Sequence, residues 1–569
     1  MNRTRGIGLL LSLTLVLASP YAEAQKKKRK VDDTPAPAAP DAPASSGKKG
    51  SGYEFQPDQV QQSDQPSKMF ERALKLYDGE DYYSASIELN KVVEGESGDG
   101  EANKQKAEFW MSKTLYNMKF YSGALTYFER IVQKGATHAY YNATLKWLAS
   151  LSKQLPDSTL ILEKIGKYQR QELEQPALEK VRDELYFLLG KYYYNKQQFK
   201  EAVSLFSSVP QQSESYVQAK LFEGATHVRE FNAKPAVEAF KEVLRAAQKS
   251  RDPKVKPFVD LANLSLARTF YSTGQFDLAV KYFDKVSPDS VDWANSLFET
   301  SWANFMLKTK GYSKALGSIH TIQAPFFENY IKPESIAEAL TVKATIYFYN
   351  CLFDRAKEAI DEFNGTYLTL AQSLKKMIDS YADNQALFDV AQKIREGTSG
   401  LDESTARAAK AVLSDRSLSK RFEFVDELSR EIAQHDKADA AWKSTTVAMA
   451  VYQDLMLQKS LAVNETGAQA RQRVIRLVGE LAQLIKRVIK VEYEILQGEK
   501  SVLEESAIKE QAVARGGKAV LVSEPRVDDE HNFWPFVGEY WRDELGYYRF
   551  RVLNKCGGKT LEAAPNEEE

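Results

Sequence analysis

Only two of the 569 residues are cysteine and five are histidine. Two cysteines, Cys351 and Cys556, are too few for a disulfide-dense scaffold and lack the clustered spacing of a zinc site. In an oxidising compartment they can pair across a long loop. Cys351 falls inside a predicted helix, which favours a buried small apolar side chain for it. His138, His227, His320, His435 and His531 are scattered, and none belongs to a HExxH-like pair, so each reads as structural and no metal or other cofactor is expected. A phosphate-cradling loop is missing, since Gly516-Gly517-Lys518 lacks the upstream Gly and the following hydroxyl residue. A Gly-x-Ser-x-Gly nucleophile turn is missing too. Net charge is -1 despite 27% charged residues, which argues against nucleic acid as a partner. After the N-terminus no stretch is apolar enough to span a bilayer. These absences together predict a protein that is not an enzyme.

What is present begins with export. Arg3 and Arg5 precede an apolar run from Ile7 to Ala18, and Ala22-Glu23-Ala24 supplies a small-residue cleavage site. The run is about a dozen residues, short of the roughly 20 that a spanning helix needs. Residues 1–24 are therefore expected to be a Sec-type signal peptide, with the mature chain in the periplasm or cell envelope. Residues 25–66 form a linker that is first basic (Lys26 to Val31, KKKRKV) and then rich in Pro, Ala and Ser. The basic run looks like a nuclear localisation signal, but its position directly after an export signal favours a solvated tail or a contact with anionic lipid.

From about Ser67 apolar residues recur at helical spacing. Tyr186, Leu189, Gly190 and Tyr193 fall on one predicted helix, and Phe199, Ala202, Phe206 and Val209 on the next. The second set recurs as Tyr82-Ala85-Leu89-Val92, Tyr121-Ala124-Phe128-Ile131, Phe276-Ala279-Phe283-Val286, Tyr312-Ala315-Ile319-Ile322 and Phe353-Ala356-Ile360-Phe363. Ala236-Phe240-Val243 fits with Ala233 in place of the aromatic. The double gap between Ala124 and Ala202 leaves room for a degenerate unit around Trp147 to Ile165. Gly190 and Ala202 are small because two helices cross there.

These residues resemble the tetratricopeptide-repeat (TPR) superfamily over roughly residues 67–365. The resemblance implies an all-α, right-handed superhelix of about eight helix pairs whose concave face holds peptides or helical segments of other proteins. On the family's pattern Lys113 with Tyr116, Lys191 with Tyr194, and Arg268 with Tyr271 occupy groove-facing places. A cation and a ring side by side suit an extended acidic or C-terminal peptide.

Residues 366–515 stay helical, free of Pro and poor in Gly. After Gly467, the residues Val474, Val478, Leu481, Ile485, Val488 and Ile495 make a three-four seam broken by Glu492. An antiparallel partner at Lys443 to Leu461 is expected to cover it, giving a long hairpin or coiled coil; another subunit is the alternative. Residues 516–569 hold an aromatic-rich segment and an acidic end. Phe533, Trp534, Phe536, Tyr540, Trp541, Tyr547, Tyr548 and Phe550 predict either a cap on that hairpin or a docking patch centred on Trp534 and Trp541. This segment, with the signal and the repeats, is similar to envelope-associated TPR proteins of myxobacteria of the kind linked to gliding motility. The expected function is a non-catalytic scaffold or adaptor with protein partners, peripheral to the membrane or within an envelope complex. The alternatives are a cell-wall lytic enzyme carrying a helical superhelix, for which the tail is too short and too helical, and a structural subunit of an outer-membrane assembly machine.

Overall fold

A computed structural model describes residues 65–556 apart from 157–158, 250–252, 328–330, 511–519, 524–528 and 530–531. The signal peptide, the basic run, nearly all of the linker and the acidic end lie outside the described residues, as do Gly516-Gly517-Lys518 and His531.

Among the described residues the chain forms antiparallel helix pairs in sequence order. They are α1 (Lys68–Asp78) with α2 (Tyr82–Glu94), α3 (Glu101–Asn117) with α4 (Tyr121–Lys134), and α5 (Tyr141–Leu151) with the short α6 (Ile161–Ile165). After a one-turn α7 (Arg170–Leu173) come α8 (Arg182–Asn195) with α9 (Phe199–Ser207), α10 (Tyr216–Arg229) with α11 (Ala233–Lys249), and α12 (Lys256–Ser272) with α13 (Phe276–Phe283). The series ends with α14 (Trp293–Met306) and α15 (Tyr312–Ile322), then α16 (Pro333–Tyr349) and α17 (Phe353–Ser380). This is an all-α helical-repeat fold. The degenerate unit expected near Trp147 to Ile165 is the α5–α6 pair.

Each recurring sequence mark has a physical place. The aromatics Tyr82, Tyr121, Phe199, Phe276, Tyr312 and Phe353 are the first residues of their helices. The small residues Ala85, Ala124, Ala202, Ala236, Ala279, Ala315 and Ala356 have no exposed surface at all. A Cβ on Gly190 would come 2.6 Å from the Phe206 ring, and one on Gly224 would come 2.5 Å from the Phe240 ring. Glycine is needed there because the ring four residues after the marker alanine leans against the first helix's backbone.

The reversals inside the pairs repeat as well. Glu80, Lys119, Gln197, Phe231, Gly274 and Cys351 all take a left-handed conformation, two residues before the second helix begins. The next residue's N–H then reaches back five residues to a carbonyl of the first helix, as in Phe120 N to Leu115 O (2.9 Å) and Asn232 N to His227 O (2.8 Å). This closing bond satisfies a carbonyl that the helix end would otherwise leave unpaired.

Beyond the pairs lie α18 (Asn384–Glu396), α19 (Glu403–Leu413), α20 (Arg416–Lys437), α21 (Ala440–Lys443) and α22 (Thr446–Glu510). At 65 residues α22 is roughly 98 Å long. The expected hairpin partner for its seam is therefore corrected: Thr446 to Leu461 belongs to the same helix. Gly467 does not break α22. It lets the helix pass against the Asn384 carbonyl, where a Cβ would overlap the oxygen. Val474, Leu481, Val488 and Ile495 are buried, and the helices packed on α22 belong to the same chain, chiefly α16, α17, α18 and α20.

These C-terminal helices touch both ends of the array. At one end Glu431 accepts the Ser122 N–H (2.7 Å), Trp442 Nε1 donates to Ser86 Oγ (3.0 Å) and Gln458 donates to Thr126 Oγ1 (2.9 Å). At the other, Arg473 pairs with Glu334 (3.0 Å), Lys357 with Glu499 (2.6 Å) and Arg416 with Asp292 (2.7 Å). The first two and the last two pairs are thus bridged by a continuous helical strut.

Candidate functional site

The residues marked by sequence as groove-facing sit between neighbouring pairs. Lys113 Nζ lies 3.4 Å from the Trp110 ring centre, 4.7 Å from Tyr77 in the preceding pair and 5.7 Å from Trp147 in the next. Burial pushes its ammonium down to about 8 against the pull of Asp78, so the rings replace part of its hydration. Lys191 lies over Phe187 (5.6 Å) and over Phe222 of the next pair (5.9 Å). Arg268 makes a two-pronged bond to Glu299 of the next pair, at 2.6 and 2.7 Å. Each cation therefore reaches one pair forward.

The three tyrosines wedge the reversals of their own pairs, and two also reach forward, Tyr116 to Trp147 (5.2 Å) and Tyr194 to Phe222 (5.7 Å). Tyr116 meets Tyr121 edge-on at 5.3 Å, Tyr271 meets Phe276 at 5.3 Å, and Tyr194 meets Phe199 at 6.2 Å. In every case the ring five residues on is the first residue of the second helix, so the tyrosine wedges the reversal. Tyr194 is buried, and burial raises the hydroxyls of Tyr194 and Tyr271, the latter to about 12. Lys113 and Tyr116 thus share Trp147, and Lys191 and Tyr194 share Phe222, each set closing on a ring of the following pair.

Trp534 and Trp541 are placed differently. Residues 532–556 cross α14 and α15 as a strap. Gly546 N donates to Thr321 Oγ1 (3.2 Å), Phe550 N to Ser313 O (3.2 Å) and Lys555 N to Asn350 O (3.0 Å). The strap's β2 (Val552–Asn554) pairs antiparallel with β1 (Val520–Ser523). Cys556 is joined to Cys351 at the α16–α17 reversal. Two expectations are corrected here. Cys351 is buried but also cross-linked, because the left-handed turn presents it beside the strap. The cap sits on the repeats instead of on a C-terminal hairpin.

Gly317 makes the docking possible, since a Cβ there would overlap the Tyr548 carbonyl oxygen and stand 2.5 Å from its carbon. Over that contact His320 is enclosed by Phe536 (4.4 Å), Tyr540 (4.7 Å), Tyr548 (5.1 Å) and Phe550 (5.3 Å). Burial, with a smaller contribution from Lys343, pushes its imidazole down to about 4, so the ring is neutral in the cage. Sequence reasoning did not pick out Gly317, and it named the four rings without joining them to His320. The available signal was a glycine inside a helix with no turn to make.

The strap's inner face is aromatic, and so is its outer one. Trp534 is 59% exposed, Trp541 44% and Val537 85%, with Phe533, Phe536 and Tyr547 also exposed. Trp534 and Trp541 lie 4.8 Å apart at 58°. Glu539 holds the tip by accepting the Trp534 Nε1 hydrogen and the Val537 N–H. Arg542 lies over the exposed Phe326 ring (5.6 Å). Exposed aromatic rings with an arginine beside them have the composition of a binding hot spot.

No protein-family model and no curated protein matches the chain. Among solved structures it is similar to a circular tandem repeat protein with novel repeat topology and enhanced subunit contact surfaces. The identity is 13%, the match covers 77% of this chain and 99% of that one, and the TM-score is 0.12. That likeness is too loose in space to carry function. The class, an all-α helical-repeat protein, rests on the helix pairs themselves.

Proposed function

We propose that this chain is an exported, non-catalytic scaffold of the bacterial cell envelope, built on TPR-type repeats, that binds other proteins. The observation that carries the proposal is the outward aromatic face of the strap, held on a frame whose ends are tied together. Several large rings left in water cost solvation without helping the fold, and a partner's apolar surface would recover it.

The TPR reading is supported by the buried marker alanines and by the reversal geometry shared by six pairs. Export is supported by the Cys351–Cys556 bond, since such bonds persist in oxidising compartments. Of the residues marked as protein-binding, the proposal keeps Trp534 and Trp541 as direct contacts. It assigns Lys113, Tyr116, Lys191, Tyr194, Arg268 and Tyr271 to holding adjacent pairs in register, because each is already engaged by a neighbouring ring or carboxylate. The resemblance read from the sequence to gliding-linked envelope proteins extends the proposal to a subunit of a motility or envelope-assembly complex.

Mild crosslinking of an envelope fraction followed by pull-down tests it. A reproducible protein complex is expected. Recovery of the chain alone, or from cytoplasm with Met1 still in place, would contradict the proposal.

A further inference from the structure

Helix α22 carries two apolar stripes one residue apart. Val474, Leu481, Val488 and Ile495 repeat every seven residues and are buried against the chain's own helices. Ile475, Ala482, Ile489, Leu496 and Leu503 repeat at the same interval and face solvent, with the Ile and Leu side chains 44–64% exposed. Four residues after each of the first four stand Gly479, Lys486, Tyr493 and Lys500, which complete a four-three seam. A seam of that period is the complement of another helix.

We propose that the occupant is the same face of a second copy, packed antiparallel. The stripe is asymmetric along its length. Its N-terminal half is small, with Ala482 and with Gly479, whose would-be Cβ has nothing within 4 Å. Its C-terminal half is bulky, with Tyr493, Leu496 and Leu503 all more than half exposed. Parallel pairing would set Gly479 against Gly479 and leave a void, crowd the bulky ends, and place Lys486 and Lys500 each against its own copy. Antiparallel pairing sets Gly479 against Leu503 and Ala482 against the stem of Lys500, so small meets large toward either end, while Ile489 meets Tyr493 near the middle.

Charge favours the same arrangement. Arg476 flanks the N-terminal end of the stripe and Glu504 the C-terminal end, and a two-fold axis brings each to the other twice. The pairs already present, Lys500 with Glu504 (3.8 Å) and Lys490 with Glu494 (4.0 Å), are exposed and within one helix, so rearranging them costs little. The mixed signs also count against an anionic bilayer as the occupant. Two such stripes would bury on the order of 1,200 Å² in total, the lower end for a specific interface, which suits a dimer of about micromolar affinity.

Light scattering and sedimentation of the mature chain from about 1 to about 100 µM, the span around that affinity, should show a monomer–dimer equilibrium. Ile489→Glu with Leu496→Glu alters only exposed positions, so the helical signal and melt should hold while the dimer disappears over that range. Orientation is read by cysteines, the native pair being already joined. Gly479→Cys combined with Leu503→Cys should yield a covalent dimer under mild oxidation, and Leu503→Cys alone should not. A monomer throughout, a dimer that survives the double Glu variant, or a covalent dimer through Leu503→Cys alone would overturn the proposal. A monomer that captures another protein or binds vesicles through this stripe would overturn it too.

Discussion

Replacing Gly317 by alanine should lift the strap off α15. The added methyl would overlap the Tyr548 carbonyl, and contacts of a real Cβ with backbone essentially never fall under 3.0 Å, so the strap has to move by more than an ångström. The movement breaks or strains the Phe550 N to Ser313 O and Gly546 N to Thr321 Oγ1 bonds, each worth about 1 kcal/mol. Overpacking adds about 1–3 kcal/mol. Against this, alanine inside a helix is better than glycine by about 1 kcal/mol. The net is a loss of about 2–4 kcal/mol, while Cys351–Cys556 keeps the far end attached. The array itself should melt as before. The discriminating assay follows His320 by NMR, because opening the aromatic cage should move its titration from about 4 toward the ordinary value of 6.5. An unchanged His320 titration and an unchanged near-ultraviolet dichroism from the strap's rings would refute the docking argument.

The packing role of the crossing points predicts that Ala202→Leu costs about 1–3 kcal/mol and broadens or splits the thermal transition, because stability in an array is carried by nearest neighbours; a single unshifted transition would count against it. Two groups shifted by desolvation give opposite pH responses. Burial raises Glu431 to about 7, so the contribution of its neutral form to docking α20 on α4 is complete below about pH 4.5 and is lost as pH rises through 7. His320 is depressed, so its contribution to the strap is complete above pH 6.5 and is lost as pH falls toward 4. Protection from hydrogen exchange, taken relative to the intrinsic rate at each pH, should therefore fall at Ser122 and Gly123 toward alkaline pH and at Phe550 toward acid pH, and Glu431→Gln should remove the first effect only. Export predicts that N-terminal sequencing of protein from its host starts at Gln25, whereas a chain starting at Met1 would contradict it.

The repeat units were legible because their marks are local. An aromatic, an alanine three residues on and apolar residues beyond it state one helix and one packed face, and the structure begins a helix at each aromatic. The reversals were less legible, because Glu80, Lys119, Gln197, Phe231 and Cys351 occupy left-handed positions that usually advertise themselves through glycine. Gly467 misled in the opposite direction: it reads as a helix boundary, and its actual cause is the backbone of Asn384, more than 80 residues away in sequence. The groove reading placed Lys113, Lys191 and Arg268 by counting along a helix. Counting cannot show that Trp147, Phe222 and Glu299 of the following pairs reach those cations, since inter-pair distances depend on superhelical geometry. The aromatic strap was legible as something that must dock, and its seat on α15 was not, because a docking glycine and its partner carbonyl leave no shared pattern.

The scaffold account is tested most directly by capture with the outer rings removed. Trp534→Ala together with Trp541→Ala changes two exposed side chains, leaves the inner contacts of Tyr540, Tyr548 and Phe550 on His320 in place, and should fold with an unaltered melt. In a crosslinked envelope pull-down the account predicts that this variant loses the wild-type partner, with a drop of at least about 30-fold in affinity for the purified pair, as expected for a hot spot worth about 2 kcal/mol or more. A folded double variant that captures the same partner with undiminished affinity would contradict it.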